Sequence, residues 1–120
     1  MIDLPIELAR DEPHVYQRVR NEGREFQPVD RPVGVRKPKD EACFRNAVLV
    51  LEDHPEWAYA EGFALNRFGL WIHHAWTVMD DDWAFDPTWE RKGARYVGVT
   101  LSVWDATDRV LETNAFGSLL

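Results

Sequence analysis

The stretch from Leu70 to Trp89, LWIHHAWTVMDDDWAFDPTW, decides the fold. Aromatic and β-branched residues fill Leu70–Met79, three aspartates interrupt them at Asp80–Asp82, and Trp83–Asp86 resumes the pattern. A run of this kind reads as a strand, a turn and a returning strand. If the aspartates make the turn, positions summing to roughly 160 to 162 face one another, which sets His74 opposite or nearly opposite Asp86. Adjacent strand residues point to opposite faces. His74 shares parity with Ile72, Trp76 and Val78, the more apolar set, and is therefore expected to face the covering helix, with His73 pointing outward.

Upstream, Trp57–Leu65 (WAYAEGFAL) reads as a further strand, closed by the turn residues Asn66–Gly69. The clearest helix precedes it. Asp40 is the expected N-cap, Glu41 and Ala42 fill the first turn, and Cys43, Ala47, Val50 and Leu51 fall at i, i+4, i+7 and i+8 on one face. Pro55 disfavours helical geometry at His54, so the helix stops near Asp53. Downstream, Tyr96–Val103 is a strand and Thr107–Asn114 a short closing helix. At the other end, Pro5–Asn21 has helical spacing broken by Pro13, hence two short pieces, and Arg24–Lys39 is rich in Pro and Gly and reads as an irregular connection. Short strands joined by turns favour an antiparallel meander over a parallel sheet. The expected class is α+β, a helix packed on a small antiparallel sheet, in one domain over 1–120. Within it, 1–39 forms the broken helix and connection, 40–104 the core, and 105–120 a short helix and tail.

A chain of 120 residues supports one packed domain. Its six Trp, six Phe and three Tyr supply far more burial than a solvated chain would carry. One cysteine forbids an internal disulfide and fits a reducing compartment. The longest apolar run, Ala47–Leu51, is too short to cross a membrane, and the sequence from Met1 shows no signal-peptide pattern, so the expected location is cytoplasmic with no membrane partner. The net charge is −7, and it is uneven: nine basic and nine acidic side chains lie in Met1–Arg45, five and twelve in Asn46–Leu120. A surface this acidic argues against nucleic acid as a partner. The basic cluster Arg31, Arg36, Lys37, Lys39 is interrupted by prolines and reads as a solvated loop.

Three residues carry possible chemistry. Cys43 lies in the first turn of its helix, where free N–H groups and the helix dipole favour a thiolate. His74 lies in a strand and Asp86 at the end of its hairpin partner, the arrangement by which a carboxylate orients an imidazole toward a nucleophile. Each has an ordinary alternative: a buried small hydrophobe, a packed strand histidine, a turn opener before Pro. The order of the three in a helix-then-hairpin frame is what raises their joint weight. The same three are zinc-ligand types, but no second Cys or fourth ligand accompanies them, so no metal and no cofactor are expected. The Cys43 N–H is the first oxyanion-donor candidate; Gln17, Gln27, Asn46 and Trp76 remain open for the second.

The string HHAWTVMDDDWAFDPTW resembles the histidine and aspartate segment of the transglutaminase-like branch of the papain-like cysteine protease superfamily, with CFRNAVLVL similar to its nucleophile helix and AEGFAL to the intervening strand. The likeness runs from about Asp40 to Trp89, with YVGV at Tyr96–Val99 a weaker continuation. It implies a papain/transglutaminase-like core with Cys43 as nucleophile, His74 as general base and later acid, and Asp86 as the orienting residue. The chain departs from the family in placing Glu41-Ala42 before the Cys, where members place a Gly-containing pair, and Phe44 after it; an anion at Glu41 opposes thiolate formation. The implied activity is cysteine-dependent acyl transfer on a protein or peptide: peptidase, deamidase or transglutaminase-type. The alternative is a non-catalytic protein of the same fold, of the kind encoded by phages, that binds and inhibits a host protein through tryptophans such as Trp57, Trp89 or Trp104.

Overall fold

The computed structural model describes residues 2–35 and 37–120, so Arg36 of the basic cluster lies outside the described residues. Two helical pieces open the chain, α1 (Leu8–Asp11) and α2 (Pro13–Glu22), divided as expected at Pro13, which occupies the first turn of α2. Next come β1 (Arg24–Pro28), α3 (Cys43–Asp53), β2 (Ala58–Leu65), β3 (Trp71–Met79), β4 (Trp83–Phe85), β5 (Arg95–Leu101) and α4 (Val103–Thr113).

The two hairpins form where turn chemistry places them. Asn66 Oδ1 accepts the N–H groups of Phe68 and Leu70 at 2.9 and 3.0 Å, and Gly69 takes φ +80°. Asp80 and Asp81 both enter the left-handed region, at φ 51° and 65°, which gives the turn the twist a hairpin needs. The β3–β4 register pairs Thr77 with Phe85 and Val78 with Ala84, at the upper edge of the expected range.

The sheet does not end as a meander. Strand β5 returns to the free edge of β2, and β1, within the stretch expected to be irregular, pairs antiparallel with β5 and parallel with β4, closing a five-stranded barrel. REFQP is too short to show a period, and only Phe26 of it is buried, so its strand character comes from its distant partners. Closure is tight at the pairing of Gly62 with Gly98: a Cβ on Gly62 would lie 2.6 Å from Gly98 Cα, and one on Gly98 would lie 2.8 Å from the Trp76 ring.

Each strand contributes to the barrel interior: Phe26, Ala60, Ala64, Trp76, Val78, Ala84 and Tyr96. Residues of the opposite parity form the outer layer. There α3 and α4 cover Tyr59, Ala75 and Leu101, and α2 covers Phe63 and Val97. This corrects the assignment of faces. Of the β3 set that includes His74, Trp76 and Val78 line the barrel and Ile72 is exposed, while α3 packs on the set that includes His73. His73 does not point outward: Phe44 and Phe63 pack beside its ring at 5.1 and 6.0 Å between centroids.

Two element ends also differ from expectation. Asp40 does not cap α3, because its Oδ1 accepts from Ala42 N at 3.2 Å; the helix starts later, with Ala42 at the N-cap and no side-chain cap. Ser102 accepts from Asp105 N and starts α4 at Val103, so the last strand is shorter, and the last helix longer, than the pattern predicted. Among the described residues the result is an α+β fold of four helices on a closed five-stranded sheet. Among the described residues no helix is long and apolar enough to cross a membrane.

Candidate active site

Cys43 is the first residue of α3 and half-buried. The residue before it, Ala42, has no side-chain acceptor, so no cap claims the N–H groups of the first turn. The helix is anchored one turn on by Asn46, which is fully buried and donates from Nδ2 to the Asp40 carbonyl and to Thr88 Oγ1, both at 3.1 Å. Thr88 belongs to the Asp86-Pro87-Thr88-Trp89 turn, so this bond ties the Cys43 helix to the segment that carries the carboxylate.

His74 Nε2 donates to Asp86 Oδ2 at 2.8 Å, with both side chains almost wholly buried. The same oxygen accepts from Tyr96 OH at 2.8 Å, while Oδ1 accepts from the N–H groups of Thr88 and Trp89 at 3.0 and 2.9 Å. Burial pushes the Asp86 carboxyl up, but the His74 bond and charge, the Trp89 N–H and Tyr96 outweigh it and hold the pKa below the usual range. Burial likewise pushes the His74 imidazolium down, and Asp86 together with the neighbouring Cys43 thiol pushes it up further, to about 9. Tyr96 is raised by burial and by the Asp86 charge, so it stays a phenol and donates.

With Nε2 committed to Asp86, the other ring nitrogen, Nδ1, is the one left for the thiol. The Cys43 thiol neighbours the ring and acts on it by hydrogen bonding and by charge, both of which favour the imidazolium. The Trp89 indole stacks on the imidazole at 4.0 Å between centroids and 21° between planes, fixing the ring's plane from one side.

Of the open oxyanion candidates, Asn46 already spends its amide donor on Asp40 and Thr88. Trp76 Nε1 is buried inside the barrel without a partner, and Gln17 and Gln27 lie exposed on α2 and β1, elements that carry neither Cys43 nor His74. The backbone N–H of Cys43 remains. Among the described residues no three His, Cys, Asp or Glu side chains are grouped to hold a metal ion. The tryptophans named as an anchor do not form one patch. Trp57 is half-buried, stacked on His54 and packed edge-on to Phe85, and Trp89 covers His74; only Trp104, at 77% exposure, stands free.

Sequence reasoning missed Tyr96 and the Asn46–Thr88 tie. Neither has a local signal, since each bond joins segments whose proximity follows only from barrel closure and helix packing. It also missed a second carboxylate–imidazole pair. On the outer face of β3, His73 Nε2 donates to Glu61 Oε2 at 2.7 Å, and Glu61, fully buried, also accepts from Tyr59 OH at 2.6 Å, Leu119 N at 2.8 Å and Ser118 Oγ. Burial pushes Glu61 up; the bonds from His73, Ser118, Tyr59 and Leu119 more than offset it and lower its pKa.

The chain matches no protein-family model, no curated protein and no solved structure.

Proposed function

We propose that this protein is a small cysteine-dependent acyl-transfer enzyme with a papain/transglutaminase-like core, in which Cys43, His74 and Asp86 act as nucleophile, general base and orienting carboxylate. The observation that carries this reading is the His74 ring itself, held by Asp86 on Nε2, clamped in plane by Trp89, and neighboured by the one thiol in the chain. The thiol proton rests on Nδ1, which the raised His74 pKa favours, and Sγ bonds to the substrate carbonyl carbon while the π electrons move to oxygen. The uncapped N–H of Cys43 stabilises that oxyanion. Collapse breaks the bond to the leaving group, which takes the proton from His74, and leaves a thioester. Water then gives hydrolysis, and an amine gives transfer. Asp86 keeps its proton-free form throughout and stabilises the imidazolium between steps.

Alkylation by iodoacetamide tests the nucleophile directly. Cys43 in the parent protein should react at pH 6 faster than a free thiol, and His74→Ala should remove the excess. Reaction no faster than a free thiol overturns the reading.

A second reading, a protein of the same fold that works by occupying a protein partner, is favoured by one observation: Trp104 and Leu111, seven residues apart on α4, are exposed at 77% and 72%. Capture of one partner equally by the parent and by a Cys43→Ala, His74→Ala variant, and its loss with Trp104→Ala, supports that reading over catalysis.

A further inference from the structure

We infer that the cleft beside Trp89 selects acyl donors carrying a carboxylate, an acidic peptide segment held by Arg67 and Arg91. The inference rests on the catalytic reading above. A cavity of about 360 Å³ reaches both Glu41, two residues before Cys43, and the Thr88–Trp89 turn that covers His74. It adjoins Cys43 and His74 through those residues, although neither lines it, and is the groove a donor's neighbouring residues would enter. Five charged side chains line the cavity, Lys37, Glu41, Arg67, Glu90 and Arg91. Lys37 and Glu90 face each other at 3.8 Å. Among the described residues, Arg67 and Arg91 make no ion pair, and they outnumber the remaining anion, Glu41.

This local balance is opposite in sign to the −7 of the whole chain, and only five of the fourteen basic side chains lie beyond Arg45. Arg67 is also held in place. It sits in the turn fixed by Asn66 Oδ1, and its guanidinium lies over the exposed Phe68 ring, 4.7 Å from the centroid. A guanidinium on a fixed turn suits bidentate pairing with a carboxylate. The charge surplus of the chain by itself suggests a cationic or neutral partner; the cavity beside Trp89 favours the reverse.

The test uses three peptidyl acyloxymethyl ketones that differ in one residue beside the reactive carbon: Glu, Gln or Lys. The rate at which each modifies Cys43 is followed by intact mass. At low ionic strength the Glu probe should react about fivefold faster than the Gln probe, the size expected of one or two exposed ion pairs, and the Lys probe slowest. The preference should shrink toward unity in an Arg67→Gln, Arg91→Gln variant and in high salt. Equal Glu and Gln rates in the parent, or a ratio unchanged by the double substitution, overturns the inference while leaving the nucleophile intact. If iodoacetamide shows Cys43 to be unreactive, the catalytic reading fails instead. The preference is then read from binding of fluorescent Glu, Gln and Lys peptides to the Cys43→Ala protein, where equal affinities overturn it.

Discussion

Strand β3 carries two adjacent histidines, each bonded to a buried carboxylate, and the two pairs are built for different work. His74 and Asp86 lie on the barrel side, and Asp86 takes its other bonds from one turn and from Tyr96. Those bonds fix a ring whose remaining nitrogen is open to the Cys43 side. His73 and Glu61 lie on the helix side. There Glu61 gathers donors from β2, β3 and the chain's last residues, and His73 Nδ1 faces Glu12 at 3.4 Å, so both ring nitrogens meet carboxylates. A histidine with both nitrogens engaged has none left for a nucleophile. The first pair leaves a ring nitrogen free on the Cys43 side, and the second ties segments together.

The largest expected effect separates the two on activity. His74→Ala should lower kcat/KM for any substrate found by at least about 10³-fold, the loss typical of removing a triad member. His73→Ala should leave it within about tenfold, since its ring touches no reacting atom. Equal losses at both positions would break the distinction.

Stability should reverse the order. Glu61→Ala strands the donors of Tyr59, His73, Ser118 and Leu119 in a buried site, and should cost about 3 to 4 kcal/mol in urea unfolding. Both carboxylates are held below their ordinary range, so the stabilisation from each is present above that range and is lost as pH falls below it through the lowered folded value. His74 adds an alkaline limb. Its folded pKa of about 9 exceeds the unfolded value near 6.5, so its contribution is complete below pH 6.5 and is lost as pH rises through 9. A shift of this size corresponds to about 3 kcal/mol. Urea midpoints measured from pH 6 to 10 should fall accordingly, and the fall should be absent in His74→Gln.

The sequence made the β3–β4 hairpin and α3 legible because their signals are local: acidic residues in a tight turn, a helical apolar spacing, a proline after His54. His74 and Asp86 followed from that hairpin. The barrel was not legible, since β1 earns its strand only from β4 and β5, far along the chain. Parity gave the right partition of β3 into two faces and the wrong covering for each, because in a closed barrel the more apolar face looks inward rather than toward a helix. Glu61 was overlooked within AEGFAL for the same reason: a buried glutamate makes sense only once the chain end supplies Ser118 and Leu119.

The smallest effect sharpens the comparison by deleting one donor from each carboxylate. Tyr96→Phe removes a bond to Asp86 and also the acceptor of Gly93 N–H, which donates to the phenol oxygen at 2.6 Å. It should cost about 2 kcal/mol, one buried bond plus one stranded donor. Ser118→Ala removes only the hydroxyl, leaving Glu61 with Tyr59, His73 and Leu119 N–H, and should cost about 1 kcal/mol. The two differ more in where they act. Tyr96→Phe loosens the carboxylate that orients His74 and should lower kcat a fewfold with KM unchanged. Ser118→Ala should leave both constants in place and speed amide hydrogen exchange at Leu119, whose N–H then lies in a segment held by fewer bonds. Faster exchange at Leu119 with unaltered kcat marks Glu61 as a tether; a fall in kcat would join the two pairs into one site.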